Sequence, residues 1–338
     1  FIVSPTPRKA FVLRGYAGTG KTSIMAALVG ALQQLQQRIV LLAPTGRAAK
    51  VLSKYARVPA YTIHKYIYRA RSKSAPSLED GIKCLQNATL QFRGKEEFWD
   101  ILEFGKDVQT VSGAELLEAL EQSYNEVGIE ETILLTRTNK RTNIYNQGIR
   151  ARILWREDEI SSGDRLMVCK NNYFWTEKYE DLPFLANGDM LEVVRLRNER
   201  EMYGYHFVDA QLRSLDYDWE IDTVIWLDTI HSDNPEANQQ MQKDLFGKIA
   251  EDYPELAHNR RKLVEAIYAS PYYNALQVRM AYAITGHKSQ GGQWERVFID
   301  PQIGGDRREV KGDEAREFYR WLYTAITRAT KKVYFIKK

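Results

Sequence analysis

The chain has 338 residues, 44% of them apolar and 27% charged, with a formal net charge of +4; this globular composition is long enough for two or three cores. It contains no run near the roughly 18 apolar residues of a membrane span, its start "FIVSPTPRKAFVLRG" lacks a secretory design, and Cys84 and Cys169 form no disulfide framework or metal-ligand spacing, so the expectation is a reducing, cytoplasmic setting with no membrane. Thirteen of the 48 basic residues fall in residues 1–78, which hold no acid, and the rest of the chain carries −9; that asymmetry points to a polyanion near the front.

In chain order, "AFVLR" (Ala10 to Arg14) reads as a buried strand that stops at Gly15, and "KTSIMAALVGALQQLQQ" places Ile24, Leu28 and Leu32 at helical spacing. "RIVLLA" returns as a second strand. Strand, glycine loop, helix and strand make a βαβ unit, the grammar of a parallel sheet covered by helices. The same grammar resumes at "TILLTRTN" and the helical "KRTNIYNQGIRARIL", so the expected class is α/β with two such domains. Between them, residues 161–232 alternate apolar and polar positions between turn residues, the pattern of a small β-barrel or sheet inserted in the second domain. Residues 233–269 read as helical.

Gly15, Gly20, Lys21 and Thr22 satisfy the phosphate-loop spacing between a strand and a helix. In such a loop the backbone amides of Gly15, Tyr16, Ala17, Gly18, Thr19 and Gly20 cradle phosphates at a helix N-terminus. Lys21 reaches the β and γ phosphates, and the Thr22 hydroxyl, beside Ser23, takes Mg2+. ATP and Mg2+ are therefore the expected ligands. A loop of this kind announces phosphate binding and leaves the task open.

Four further segments carry a resemblance: "APTGRAAKVLS" (Ala43 to Ser53), "YTIHKYIY" (Tyr61 to Tyr68), "ITGHKSQGGQW" (Ile284 to Trp294) and "YRWLYTAITRAT" (Tyr319 to Thr330). In this order they resemble superfamily 1 DNA helicases of the RecD and Dda branch. The resemblance implies two RecA-like phosphate-loop domains with parallel sheets and a small SH3-like β-barrel inserted in the second. The expected boundaries are 1–110 for the first domain, 111–160 with 270–338 for the second, 161–232 for the barrel and 233–269 for a helical segment. It also implies 5′ to 3′ movement on single-stranded DNA, unwinding at duplex junctions, and repair or recombination proteins as partners.

On the same resemblance Pro44, Thr45 and Arg47 touch single-stranded DNA, and a hydroxyl with a guanidinium after a strand suits phosphate contact; Thr45 also suits a helix cap, and the two roles coexist. Thr62 and His64 lie among Tyr61 and Tyr66, which offers donors and stacking faces to a strand, or else core aromatics beside one exposed histidine. Thr285, His287, Lys288 and Ser289 are expected to grip DNA, while Gln290 and Gly291 face the nucleotide. Arg328 is expected to reach the γ phosphate as a fixed cation.

The resemblance also calls for an apolar strand ending in Asp-Glu, and the sequence contains none. "RVFID" and "VIWLD" end in Asp300 and Asp228 but lack the glutamate and lie in the wrong domain. Residues 44–131 offer no clear buried strand, so a segment with strands and carboxylates is expected to have been left out near 71–78 of an incomplete first domain, and the start to be clipped as well. If nothing is missing, nucleotide binding with hydrolysis largely lost is expected. That leaves two rivals to an ATP-driven DNA helicase: a non-hydrolysing DNA-binding subunit of a repair or recombination complex, and an RNA helicase of the same superfamily.

Overall fold

A computed structural model of the protein describes Leu13 and residues 21–37, 39–43, 46–63, 66, 107–179, 182, 184–215, 219–232, 234–256, 258–289, 292–301 and 313–337. The chain divides into two units, Phe1–Gly94 and Lys95–Lys338.

In the first unit, α1 (Lys21–Gln34) leads to β1 (Leu41–Ala43), α2 (Gly46–Ala56) and β2 (Ala60–Thr62). The two strands pair in parallel, Leu41 opposite Ala60 and Ala43 opposite Thr62. Val29, Leu41 and Ala56 form a small core, joined by Ile39, Leu52 and Val58. Past the end of α2 the chain turns through Arg57, whose φ of 53° is left-handed, and Ser53 Oγ donates to Val58 O at 2.9 Å to fix the turn. The helix and second strand that the sequence predicts after the glycine loop are present as α1 and β1, and a parallel βαβ unit that the sequence reading did not include follows in β1, α2 and β2. The strand expected at Ala10 to Arg14 and the suspected gap at 71–78 lie outside the described residues, Leu13 excepted.

In the second unit, β3 (Val108–Ser112), α3 (Leu116–Val127), β4 (Thr132–Thr136) and α4 (Asn139–Arg152) run in succession. Ser112 and Glu115 start α3 reciprocally: Ser112 N donates to the Glu115 carboxylate at 3.1 Å, and Glu115 N donates to Ser112 Oγ at 3.3 Å. Gly128 at φ 88° ends the helix, its N–H returned to Tyr124 O. Near the C-terminus come β10 (Ala283–Thr285), β11 (Trp294–Ile299), α7 (Asp313–Ile326) and β12 (Ala329–Lys337). The sheet order is β10-β4-β11-β12-β3, with every pairing parallel. Ile133, Leu134, Leu135, Val297, Phe298 and Ile299 are buried to 2% or less, as expected for strands covered on both faces.

The interposed segment makes a second sheet from β5 (Arg165–Val168), β6 (Met190–Met202), β7 (Tyr205–Ser214), β8 (Glu220–Trp226) and β9 (Val278–Met280), in the order β8-β7-β6-β5-β9 and antiparallel throughout. Its two edges approach each other through a bridge between Ile225 and Leu276, where Trp226 N donates to Leu276 O at 3.0 Å and Leu276 N to Val224 O at 2.7 Å. α5 (Pro235–Ala250) and α6 (Arg260–Tyr268) bring Leu245, Ile249 and Ile267 against Phe207 and Trp226; a fully buried side chain of this size contributes about 1.5–3 kcal/mol.

Two expected boundaries shift. Residue 110 falls inside β3, which pairs with β12 and so belongs to the parallel sheet of the second unit. Val278–Met280, expected in the second α/β domain, completes the antiparallel sheet by pairing with Val168–Leu166. The apolar run "ALQVRMAYAIT" crosses from one sheet to the other through Ala281 and Tyr282, and no turn residue marks the crossing.

That crossing is pinned by buried polar groups. Asn146 of α4 donates to Met280 O and Ala283 O at 2.9 and 3.0 Å and accepts from Ala283 N at 2.7 Å. Asp164, fully buried before β5, accepts from Arg150, Arg156, Tyr282 OH and Ser161 N. The inserted sheet is thus tied to α4 and to the crossing by a satisfied ionic network, the condition under which buried charge is tolerated.

Candidate nucleic-acid and nucleotide interface

At the C-terminal edge of the parallel sheet, Thr285 and Thr136 stand in register on β10 and β4. The segments leaving both strands are therefore neighbours, and Gly286 N donates to Thr136 O at 3.0 Å. Beyond Thr136 the exposed Arg137 lays its guanidinium over the rings of Phe318 and Trp321, 5.5 and 6.0 Å from their centroids. Thr138 then caps α4, accepting from Arg141 N at 3.3 Å. Beyond Thr285 the chain makes a tight turn: Lys288 N and Ser289 N both donate to Thr285 O, at 2.8 and 3.2 Å.

The four DNA contacts expected in this turn take different positions. His287 is exposed and Thr285 half-buried. Lys288 is half-buried, and its Nζ donates to Asn187 Oδ1 on the loop before β6. Burial lowers its pKa, with the nearby Arg279 adding to the effect and Cys169 opposing it. Ser289 is fully buried and donates to Gly286 O at 2.7 Å. It holds the turn closed and does not present a hydroxyl outward. Gly286 is required here by packing, since a Cβ would meet the indole nitrogen of Trp321.

Arg137 was not among the expected site residues. The signal available for it was weak: an arginine directly after a fully apolar strand, in "TILLTRTN". With His287 and Lys288 it makes this edge of the sheet basic. The acid that ends β11, Asp300, is already engaged, accepting from Arg141 Nε and Nη2 at 2.9 and 2.6 Å and from Tyr145 OH at 2.9 Å. Asp228 accepts from His206 N at 2.7 Å and faces the His206 ring. The two strand-end aspartates are thus each engaged by side chains or backbone of their own unit.

Arg328 lies on the turn between α7 and β12 with 9% of its surface exposed. Its guanidinium donates to Thr324 O at 3.0 Å, Gly292 O at 3.3 Å and Thr327 Oγ1 at 3.1 Å. Trp294 N donates to Arg328 O at 2.9 Å. The side chain is thus fixed beside Gly292.

At the head of α1, Lys21 and Thr22 are half-buried and Ser23 is exposed, with no acid in the first turn. A positive helix end carrying a lysine and a hydroxyl suits a phosphate group. Thr22 fits Mg2+ as one hydroxyl ligand, since this ion takes few protein ligands beside phosphate oxygens and water; no cluster of three or more His, Cys, Asp or Glu able to hold a metal occurs among the described residues. Gly15, Tyr16, Ala17, Gly18, Thr19 and Gly20, together with Pro44, Thr45, His64, Gln290 and Gly291, lie outside the described residues. Arg47 is the second residue of α2 and Thr62 ends β2, their backbones alone being described.

Comparison with known proteins gives two family matches. Residues 3–128 match the model of an AAA domain, and residues 280–336 match that of a UvrD-like helicase C-terminal domain. Among solved structures the chain is similar to a Bacteroides Pif1 helicase in complex with ADP-AlF3 and ssDNA, at 11% identity, covering 95% of this chain and 87% of that one with a TM-score of 0.42. A Bacteroides Pif1 bound to ssDNA is similar at 10% identity, over 98% and 75% of the two chains, with a TM-score of 0.32. A structure of two coordinating Pif1 helicases at forked dsDNA gives 15% identity and a TM-score of 0.32; the match covers 67% of this chain, which spans 43% of that one. No curated protein matches the chain.

Proposed function

We propose that this chain, a relative of the superfamily 1 helicases of the Pif1 and RecD-like kind, is an ATP-driven motor that moves on single-stranded DNA and parts duplex at junctions. The observation that carries the reading is the ordered pair of family matches, with the UvrD-like C-terminal match spanning the basic Thr285–Ser289 turn and Arg328. In this reading Lys21 and Thr22 hold the ATP phosphates, and Arg328 supplies a second cation to the transferring group after exchanging its carbonyl partners. Bound Mg2+ neutralises the β and γ phosphate charge. His287, Lys288 and Arg137 face the strand at the edge of the parallel sheet, with Thr285 beside them; Ser289 acts by holding the turn. The inserted antiparallel sheet has the strand number and the edge-to-edge bridge of a small barrel, which supports the SH3-like reading. The direction is 5′ to 3′, and the setting is cytoplasmic.

The test is ATP hydrolysis by the purified chain with and without oligothymidine, together with unwinding of duplexes bearing a 5′ or a 3′ tail. Strand-stimulated hydrolysis with unwinding of the 5′-tailed duplex is the expected result; unwinding confined to the 3′-tailed duplex refutes the direction. A second reading, a nucleotide-binding subunit that does not hydrolyse, is favoured by the engagement of Asp228 and Asp300 with His206 and Arg141. ATP binding without turnover, with or without DNA, establishes that reading instead. Competition between DNA and RNA strands of equal sequence separates DNA from RNA as the track.

A further inference from the structure

Arg279 occupies the middle of β9, opposite Met167 of β5, and keeps 9% of its surface. Its neighbours Val278 and Met280 join one core with Leu166 and Val168. By strand alternation Arg279 turns to the other face, the side of Met167, Met190, Ile284 and Trp321. A guanidinium is a permanent cation. Yet the side chain of Arg279 makes no hydrogen bond or ion pair among the described residues, and its Nε is covered and without a partner.

Its electrostatic neighbours do not resolve the charge. Cys169 and Lys288 share this seam: Cys169 N donates to Gln277 O, two residues before Arg279, and Asn187, which holds Lys288, adjoins Gly188, whose N donates to Val168 O, next to the Met167 that faces Arg279 across the sheet. Burial pushes the Cys169 thiol up, so it is neutral near pH 7 and supplies no thiolate. Lys288 adds a second cation, also drawn out of water and held among the described residues by Asn187. A stripped ion costs several kcal/mol when nothing compensates it, so a fold that places two such cations together is incomplete without an anion.

We propose that Arg279 and Lys288 form a phosphate subsite at the seam between the inserted sheet and the Thr285–Ser289 turn, taking one phosphodiester of a single-stranded nucleic acid. This rests on the strand-binding reading above and extends it to a residue which that reading does not include. The nucleic-acid backbone is the source because Lys288 adjoins the exposed His287 and lies on the same basic edge as Arg137, which makes the subsite continuous with an open cationic track. An occupied subsite also ties β9 of the insertion to the turn of the α/β sheet, so that strand binding stiffens the seam.

The experiment measures binding of fluorescein-labelled oligothymidine by anisotropy across a salt series, using the full chain as wild type, R279M and R279K, with melting temperatures for each. R279M is expected to bind about tenfold more weakly at low salt and to lower the slope of log affinity against log salt by about 0.7, one single-strand phosphate. Its melting temperature is expected to hold or rise, because an uncompensated buried charge is removed. R279K is expected to retain most of the slope. Unchanged binding by R279M overturns the proposal and leaves the strand-binding reading standing, and so does a fall in melting temperature with an unchanged slope. Weaker ATP binding by R279M with the strand affinity intact also overturns it, as does competition of inorganic phosphate against ATP alone. A wild-type chain that binds no oligonucleotide overturns both.

Discussion

Asp164→Asn tests whether the inserted sheet is held by the ionic network beneath it. Five donors converge on this carboxylate: Arg150 Nε and Arg156 Nη1 with Tyr282 OH on Oδ1, Arg150 Nη2 and Ser161 N on Oδ2. Asparagine keeps one oxygen. Whichever way it is placed, its NH2 meets at least two donors, and the charge opposite Arg150, whose side chain is 7% exposed, is gone. Arg156, at 22%, can turn to water; Arg150 cannot. Breaking one side of a buried pair costs about 3–5 kcal/mol. At about 2–4 °C per kcal/mol for a unit of this size, the melting transition falls by about 6–20 °C. The control is Asp209→Asn, which removes a half-exposed pair with Arg200 at 2.7 Å and costs about 0.2–1 kcal/mol. Calorimetry of both variants decides the matter: a loss from Asp164→Asn no larger than that from Asp209→Asn refutes the idea that this carboxylate anchors the insertion.

Gly286→Ala drives a Cβ into the Trp321 indole, so a loss of about 1–3 kcal/mol accompanied by weaker oligothymidine binding is expected from melting and anisotropy; unchanged binding separates the turn from the strand site. Lys21→Ala is expected to abolish binding of a fluorescent ATP analogue while far-ultraviolet circular dichroism stays as in wild type, and retained binding removes Lys21 from the site. Arg328→Ala, on the motor reading, lowers turnover by about three orders of magnitude or more with ATP affinity kept; a drop in melting temperature with turnover intact instead limits Arg328 to holding Gly292 and Thr324. His206 has its pKa raised by its hydrogen bond to Asp228. Because the folded value lies above the unfolded one, the stabilisation is complete below the ordinary histidine range and is lost as pH rises through the folded pKa. It is small for so exposed a pair. Proton NMR is expected to show the His206 midpoint falling in Asp228→Asn, and an unmoved midpoint refutes the pairing.

Much of this fold is legible in the residues because strand burial writes itself as composition. Ile133 to Leu135 and Val297 to Ile299 are apolar on both faces, and parallel strands under two helix layers result. α3, started by Ser112 with Glu115 and ended at Gly128, was not read from the sequence although its caps are local. The change of sheet at Ala281 was not legible. Alternation reports which side of a strand a residue faces, and it says nothing about which sheet the strand joins; one apolar run serves both. The anchors at that change, Asn146 and Asp164, lie 137 and 118 residues from the Ala283 and Tyr282 groups they hold, a separation no local pattern can express.

The same limit explains which site residues the sequence separates well. Lys21 and Thr22 stand out because a phosphate loop is a local device whose spacing is its chemistry. The Thr285–Ser289 turn is local too, yet its four polar residues read alike in sequence and divide in space: His287 faces outward, Lys288 reaches Asn187, and Ser289 turns inward to Gly286 O. In this tight turn two backbone amides share Thr285 O, while the Ser289 hydroxyl folds under to the neighbouring carbonyl of Gly286. Donor type alone therefore overcounts the contacts such a turn can offer a strand. The cation that this count omits, Arg279, was hidden for the opposite reason: a β position between Val278 and Met280 reads as core, and the observation that singles it out, a covered Nε without a partner among the described residues, exists only in the structure.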